Sequence, residues 1–140
     1  MNTFFQNTKR TNFFILALII GAAALASIPL LRGDFFHFSD EPHIANLFEM
    51  VRALGSGQIP PRWAPDMSFE FGYPLFNFYY VLPYYLGSVV YFITHSLIFS
   101  LKSVFLISVP LSGIFMYLWL RKHTDVWAAF LGSILYISTP

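Results

Sequence analysis

Ser39-Asp40-Glu41-Pro42-His43 brings two carboxylates and an imidazole to one point of the chain. An ionised carboxylate can take the proton from an attacking hydroxyl as a general base. Carboxylates and imidazole can also share a divalent cation. Three side chains within a few positions are too few to fill a coordination shell, so a cation is the secondary reading and no cofactor is certain. A third role needs no chemistry: Ser39 or Asp40 can cap a helix, because their oxygens accept from the free amides of a first turn. Local spacing leaves all three readings open. Further on, Arg62 offers a planar cation for phosphate or carboxylate, with Trp63 beside it as a flat apolar ring. An interfacial Trp with Arg reaching to headgroups would look the same. Asn77 and Tyr79 are the polar positions in the aromatic run Gly72–Tyr80.

These residues belong to one polar stretch. Six of the seven acidic residues, Asp34, Asp40, Glu41, Glu49, Asp66 and Glu70, fall between Gly33 and Tyr85. Within it a helix is expected over about 40–55. Pro42 suits a first turn, and Ile44, Leu47, Phe48, Val51 and Leu54 form an apolar stripe at helical spacing. Asn46, Glu49 and Arg52 are expected to face elsewhere, and Gly55 and Gly57 to end the element. The prolines at 60, 61 and 65 stiffen the loop beyond it. Asp66 and Glu70 read as turn formers or solvated charges. His37 and His95 stand alone, without a second His at zinc spacing or a Ser for a triad. Gly55-Ser56-Gly57 is a helix stop and not a phosphate loop.

The remainder reads as membrane. Of 140 residues, 56% are hydrophobic, 20% aromatic and only 11% charged, against about 25% charged in ordinary soluble domains. A net charge of +1 gives no field for nucleic acid. Cysteine is absent, which removes disulfides and thiolate chemistry. The expected fold class is an all-α integral membrane protein: an N-terminal transmembrane helix (13–31), an extracytoplasmic loop (32–82) with amphipathic juxtamembrane helices, then two or three further transmembrane helices. Over 83–101, Pro83, Tyr84, Tyr85, Tyr91 and His95 favour a juxtamembrane or re-entrant helix, leaving spans at 103–120 and 126–140. Lys9 and Arg10 favour a cytoplasmic N-terminus. If 83–101 does not cross, Arg121 and Lys122 return to the cytoplasm as well, as the positive-inside rule prefers. A signal peptide competes for 13–31, but the apolar run is longer than a usual h-region. The apolar run at the end leads us to expect that residues 1–140 are the N-terminal fragment of one longer polytopic domain, in a multi-pass inner membrane with its active loop outside.

A resemblance sharpens this. Ser39-Asp40-Glu41, Phe48-Glu49-Met50, Gly57-Gln58, Pro60, Arg62-Trp63, Phe71-Gly72-Tyr73-Pro74-Leu75-Phe76-Asn77-Phe78-Tyr79-Tyr80 and Leu82-Pro83-Tyr84-Tyr85 together resemble the N-terminal part of the GT-C superfamily of membrane glycosyltransferases. The closest group is that of bacterial polytopic membrane proteins labelled as related to 6-pyruvoyl-tetrahydropterin synthase. The resemblance implies a polyprenyl-phosphate sugar donor, the lipid bilayer as partner, a role in the cell envelope, and an essential carboxylate in the first outer loop. By position that carboxylate is Asp40, with Glu41 beside it; members of the group often carry His-Asp-Asp there. The chemistry implied is displacement at an anomeric carbon, with Arg62 as the candidate cation for the leaving phosphate within these residues, Arg52 and Lys102 as weaker ones, and a cation from the C-terminal part of the longer expected protein as an equal alternative. Trp63, His43, Asn77 and Tyr79 complete the expected substrate-binding set. The 140 residues alone are expected to be inactive. The competing readings are a non-catalytic membrane scaffold or lipid-binding module, and part of a lipid-linked sugar transporter, although the latter would place charges inside its spans.

Overall fold

A computed structural model describes residues 2–32 and 42–139, with side chains from residue 11 onward. It is all-helical: α1 (Asn2–Ala26), α2 (Pro42–Gly55), α3 (Leu82–Thr94), α4 (Leu97–Leu120) and α5 (Val126–Ser138), with short 3-10 turns at Ile28–Leu31 and Leu75–Asn77. Among the described residues the only β-type pairing is one antiparallel bridge, Ala64 with Tyr73. The chain divides into two units, Met1–Gly33 with Leu106–Pro140, and Asp34–Phe105.

In the first unit Ile15 and Ile19 of α1, Tyr117 of α4 and Ala129 of α5 form the buried centre, with Leu16, Leu120, Phe130 and Ile134 packed around it. Tyr117 Oη donates to Asn12 Oδ1 at 3.0 Å, which ties α4 to α1. The segment expected as a single span over 13–31 is α-helical only to Ala26. Pro29 cannot continue an α-helix without striking the carbonyl four residues back, so the chain tightens into the Ile28–Leu31 turn. At the other end Asp125 caps α5, its Oδ1 accepting from Trp127 N at 2.8 Å and Ala128 N at 3.1 Å. Those amide bonds hold its carboxyl below the ordinary range.

In the second unit α2 and α3 pack together. The core is Leu47, Met50 and Ala53 of α2, Ala64, Leu75 and Phe76 of the connecting loop, Tyr84 of α3 and Leu101 at the start of α4. The helix expected over 40–55 is present as Pro42–Gly55; residues 40 and 41 lie outside the described residues. Its buried face differs from the apolar stripe. Asn46 and Glu49 are buried at 1% and 3% exposure while Phe48 is 41% exposed. The helix has turned its polar residues inward because each finds a partner there.

The division expected near Lys102 falls earlier. His95 adopts left-handed backbone (φ 54°) and ends α3. Ser96 Oγ then accepts from Phe99 N at 3.3 Å, opening α4 at Leu97. Lys102 lies within α4 and is largely buried. Consequently α4 has 24 residues, about 36 Å at 1.5 Å per residue. It is long and apolar enough to cross a membrane. α3 has 13 residues, about 20 Å. One side of α3 carries the buried Tyr84, Gly87 and Ser88. Leu82, Leu86, Val89 and Ile93, at spacings of four, three and four, are exposed.

Candidate functional site

The start of α2 is held by a small polar network. Tyr84 Oη, reaching from α3, is 2.8 Å from His43 Nδ1, and Asn46 Nδ2 donates to the same oxygen at 3.1 Å. Tyr84 and Asn46 are fully buried, whereas His43 is half-buried. The Tyr80 ring stacks on Tyr84 with centroids 5.9 Å apart and planes 13° apart. His43 lies 6.3 Å from Tyr80 and 6.1 Å from Tyr84, ring to ring. Tyr79 joins through Tyr80 at 5.7 Å. Burial pushes the Tyr84 phenol up to about 12, against the pull of the Asn46 hydrogen bond. Tyr84 is therefore a neutral hydroxyl at any physiological pH.

The other end of α2 holds the Arg62-Trp63 pair. Gln58 N bonds Ala53 O at 2.9 Å, so Gln58 continues from the helix end. Its Oε1 accepts from both Arg62 N at 2.7 Å and Trp63 N at 2.8 Å. One amide oxygen thus fixes the backbone of both residues, and the Trp63 side chain stays exposed. The loop then runs back along α2. Arg52 pairs with Asp66, and Asp66 N lies 3.4 Å from Glu49 Oε2. Arg52 also rests over the Phe48 ring at 5.9 Å. Burial raises the Glu49 carboxyl above its ordinary 4.5, with Arg52 opposing.

Trp63 has a dedicated seat. A Cβ on Gly72 would fall 2.3 Å from the indole Nε1, and Gly72 has φ +79°. Only glycine tolerates both the backbone and the ring. The antiparallel bridge between Ala64 and Tyr73, with N···O distances of 2.8 and 2.9 Å, closes the turn that delivers Gly72 to the indole. At its tip Ser68, Phe69 and Glu70 all have positive φ, and Phe69 and Phe71 are exposed.

The expected site residues therefore fall into separate groups. Asp40 and Glu41 lie outside the described residues. His43 and Tyr79 share the Tyr80–Tyr84 ring cluster. Arg62 and Trp63 share the Gln58 clamp. Asn77 is exposed in the Leu75–Asn77 turn, away from both in its contacts. Arg52 is committed to Asp66, which lies in the expected turn and is an ion-pair partner as well. Among the described residues no three His, Asp or Glu side chains gather as a metal site; the Asp40–Glu41–His43 group falls only partly within them. Sequence reasoning misses Asn46, Gln58, Tyr80 and Tyr84. A signal for Asn46 is present: a short amide within a helix, with a tyrosine-rich segment further along the chain to partner it. Two hollows in the first unit carry no carboxylate, imidazole or amine. One, about 180 Å³, is lined by Ile20, Ala24, Ser27, Leu31, Leu106 and Pro110. The other, about 430 Å³, is lined by Val109, Ser112, Tyr136, Ile137 and Thr139.

The fold and the site describe an all-helical protein with a membrane-length helix and a polar unit built around α2. The chain is similar to an uncharacterized protein of Lactococcus lactis subsp. cremoris (strain MG1363), with 32% identity over 125 residues. The match takes in 86% of this chain and 20% of that protein, so the chain spans about a fifth of its relative's length. No protein-family profile matches the chain, and no solved structure matches it.

Proposed function

We propose that this chain forms the donor-binding front of a multi-pass, polyprenyl-phosphate-sugar-dependent glycosyltransferase of the GT-C type, acting on the outer face of the inner membrane. Asp40 is the base that takes the acceptor hydroxyl proton, with Glu41 adjoining. Arg62 faces the leaving phosphate, and Trp63 gives the sugar or prenyl chain an apolar surface. His43, Asn77 and Tyr79 supply polar contacts.

The observation that carries this reading is the Gln58 clamp. It commits one amide oxygen to two backbone amides, so that the guanidinium and indole extend from a tied-down loop. Among the described residues the Arg62 guanidinium has no partner. The clamp fixes the backbone and leaves the guanidinium unspent, a cation available to pair with phosphate charge. The length of α3 supports the topology: a helix of about 20 Å falls short of a bilayer core of about 30 Å. Its exposed Leu82-Leu86-Val89-Ile93 stripe suits a helix lying in the interface.

The test is sugar transfer by membranes containing the full-length protein, supplied with a panel of radiolabelled polyprenyl-phosphate sugars. Asp40→Asn keeps a good cap and removes the base. Transfer is expected to fall by about 10²–10⁴-fold. Transfer at the wild-type rate would overturn the assignment and favour the scaffold reading, in which Asp40 and Glu41 only cap α2.

A further inference from the structure

We infer that Tyr84 and Asn46 are positioning residues that fix the tautomer of His43, leaving its proton on Nε2 and making the ring a hydrogen-bond donor to ligand instead of a base. An amide nitrogen only donates, so at 3.1 Å Asn46 Nδ2 gives a proton to Tyr84 Oη. The phenol has one proton of its own, and of the two acceptors beside it, His43 Nδ1 at 2.8 Å and the Tyr80 hydroxyl, the imidazole nitrogen is the stronger. Nδ1 then accepts and carries no hydrogen, and the neutral ring holds its proton at Nε2. The reverse arrangement, with Nδ1–H donating to Tyr84, would load two donors on one oxygen. It would also leave the buried phenol proton only the Tyr80 hydroxyl, a weaker acceptor than an imidazole nitrogen. Tyr80, stacked on Tyr84, holds the phenol ring so that its oxygen stays between the two partners.

The fixed tautomer divides the labour at the site. Nε2 has no partner among the described residues, and a protonated Nε2 cannot take a proton from an acceptor. It can donate to a hydroxyl or phosphoryl oxygen. That leaves proton abstraction to a carboxylate, a step that rests on the glycosyltransferase reading; the tautomer itself does not.

The chain has four histidines, 37, 43, 95 and 123. Labelled with ¹⁵N-histidine in detergent micelles, their ring nitrogens can be read by two-bond ¹H–¹⁵N correlation at a pH where the rings are neutral, with His43→Gln assigning the His43 set. The wild type is expected to show the Nε2–H pattern, with the bare Nδ1 resonance displaced by an accepted hydrogen bond. Tyr84→Phe is expected to abolish that displacement. Asn46→Asp is expected to invert the network: the carboxylate takes the phenol proton, and His43 turns to Nδ1–H donating to Tyr84. An Nδ1–H pattern in the wild type, or a Tyr84→Phe spectrum with both nitrogens unmoved, would overturn the inference. If Tyr84→Phe does not fold, the Asn46→Asp inversion decides alone, its absence counting against. The spectra need no substrate. Failure of sugar transfer with the Nε2–H pattern intact would therefore sink the proposed activity and leave the positioning role standing.

Discussion

Asn46 and Glu49 lie one turn apart on α2, and both are buried polar groups with different costs. Asn46 is satisfied by Tyr84, so removing the phenol oxygen strands the amide. Tyr84→Phe is expected to lower stability by about 1–3 kcal/mol, as an orphaned buried polar group does, read by chemical unfolding in micelles. Glu49 is held above 4.5 by burial, so the folded state binds its proton more tightly than the unfolded chain. Its contribution is fully present below 4.5 and is lost as pH rises through the folded value. Unfolding measured from about pH 4 upward should show this decline, and Glu49→Gln should flatten it. Unchanged pH dependence in that variant would contradict the assignment. Apolar periodicity points both residues outward, because it counts hydrophobic side chains and is blind to a polar one that finds a partner. The partners are Tyr84 from α3 and the Asp66 backbone, 38 and 17 positions away, and no local pattern links them.

Elements are more legible than their faces. Pro42 and Gly55 mark α2 because one suits a first turn and the other a last. Asp125 caps α5 as a short carboxylate can, whereas Pro29 ends the α-helix inside the expected 13–31 span, a break that counting apolar residues passes over. The break between α3 and α4 is harder to read, because Lys102 looks like the end of an apolar run. The chain instead turns where His95 takes a left-handed backbone and Ser96 caps the next helix. Two substitutions test the packing. A Cβ on Gly72 meets the Trp63 indole and a strained φ together, so Gly72→Ala is expected to cost about 1–3 kcal/mol. It should also shift Trp63 fluorescence as the ring is displaced, which a Trp119→Phe, Trp127→Phe background isolates. On α3, a Cβ at Gly87 would come 2.9 Å from Leu47 Cδ1, and Leu47 is fully buried. Gly87→Leu should therefore part α2 from α3 and accelerate amide exchange in both helices.

For the whole molecule, the apolar composition leads to the expectation of a membrane protein, and α4 is one helix long and apolar enough to span. The number of crossings is a question of parity. If α1 and α4 cross and α3 does not, the α4–α5 turn lies on the side of the N-terminus. The absence of cysteine makes this directly measurable. Ser56→Cys is expected to react with an impermeant maleimide on intact cells, and Lys122→Cys only after the cells are opened. Labelling of both from outside would show that α3 crosses too. Protection of Ser56→Cys in intact cells would place the loop in the cytosol and end the proposed activity.

α2 also behaves as a measuring rod. His43 stands at its first turn, while Arg62 is moored through Gln58 near Ala53, ten positions on, or about 15 Å along the axis. A molecule that touches imidazole and guanidinium at once is elongated, lying alongside the helix with its two ends read by different loops. Deleting one residue from the middle of α2 would swing its ends about 100° out of phase, so that Leu47 and Ala53 could no longer share one buried face.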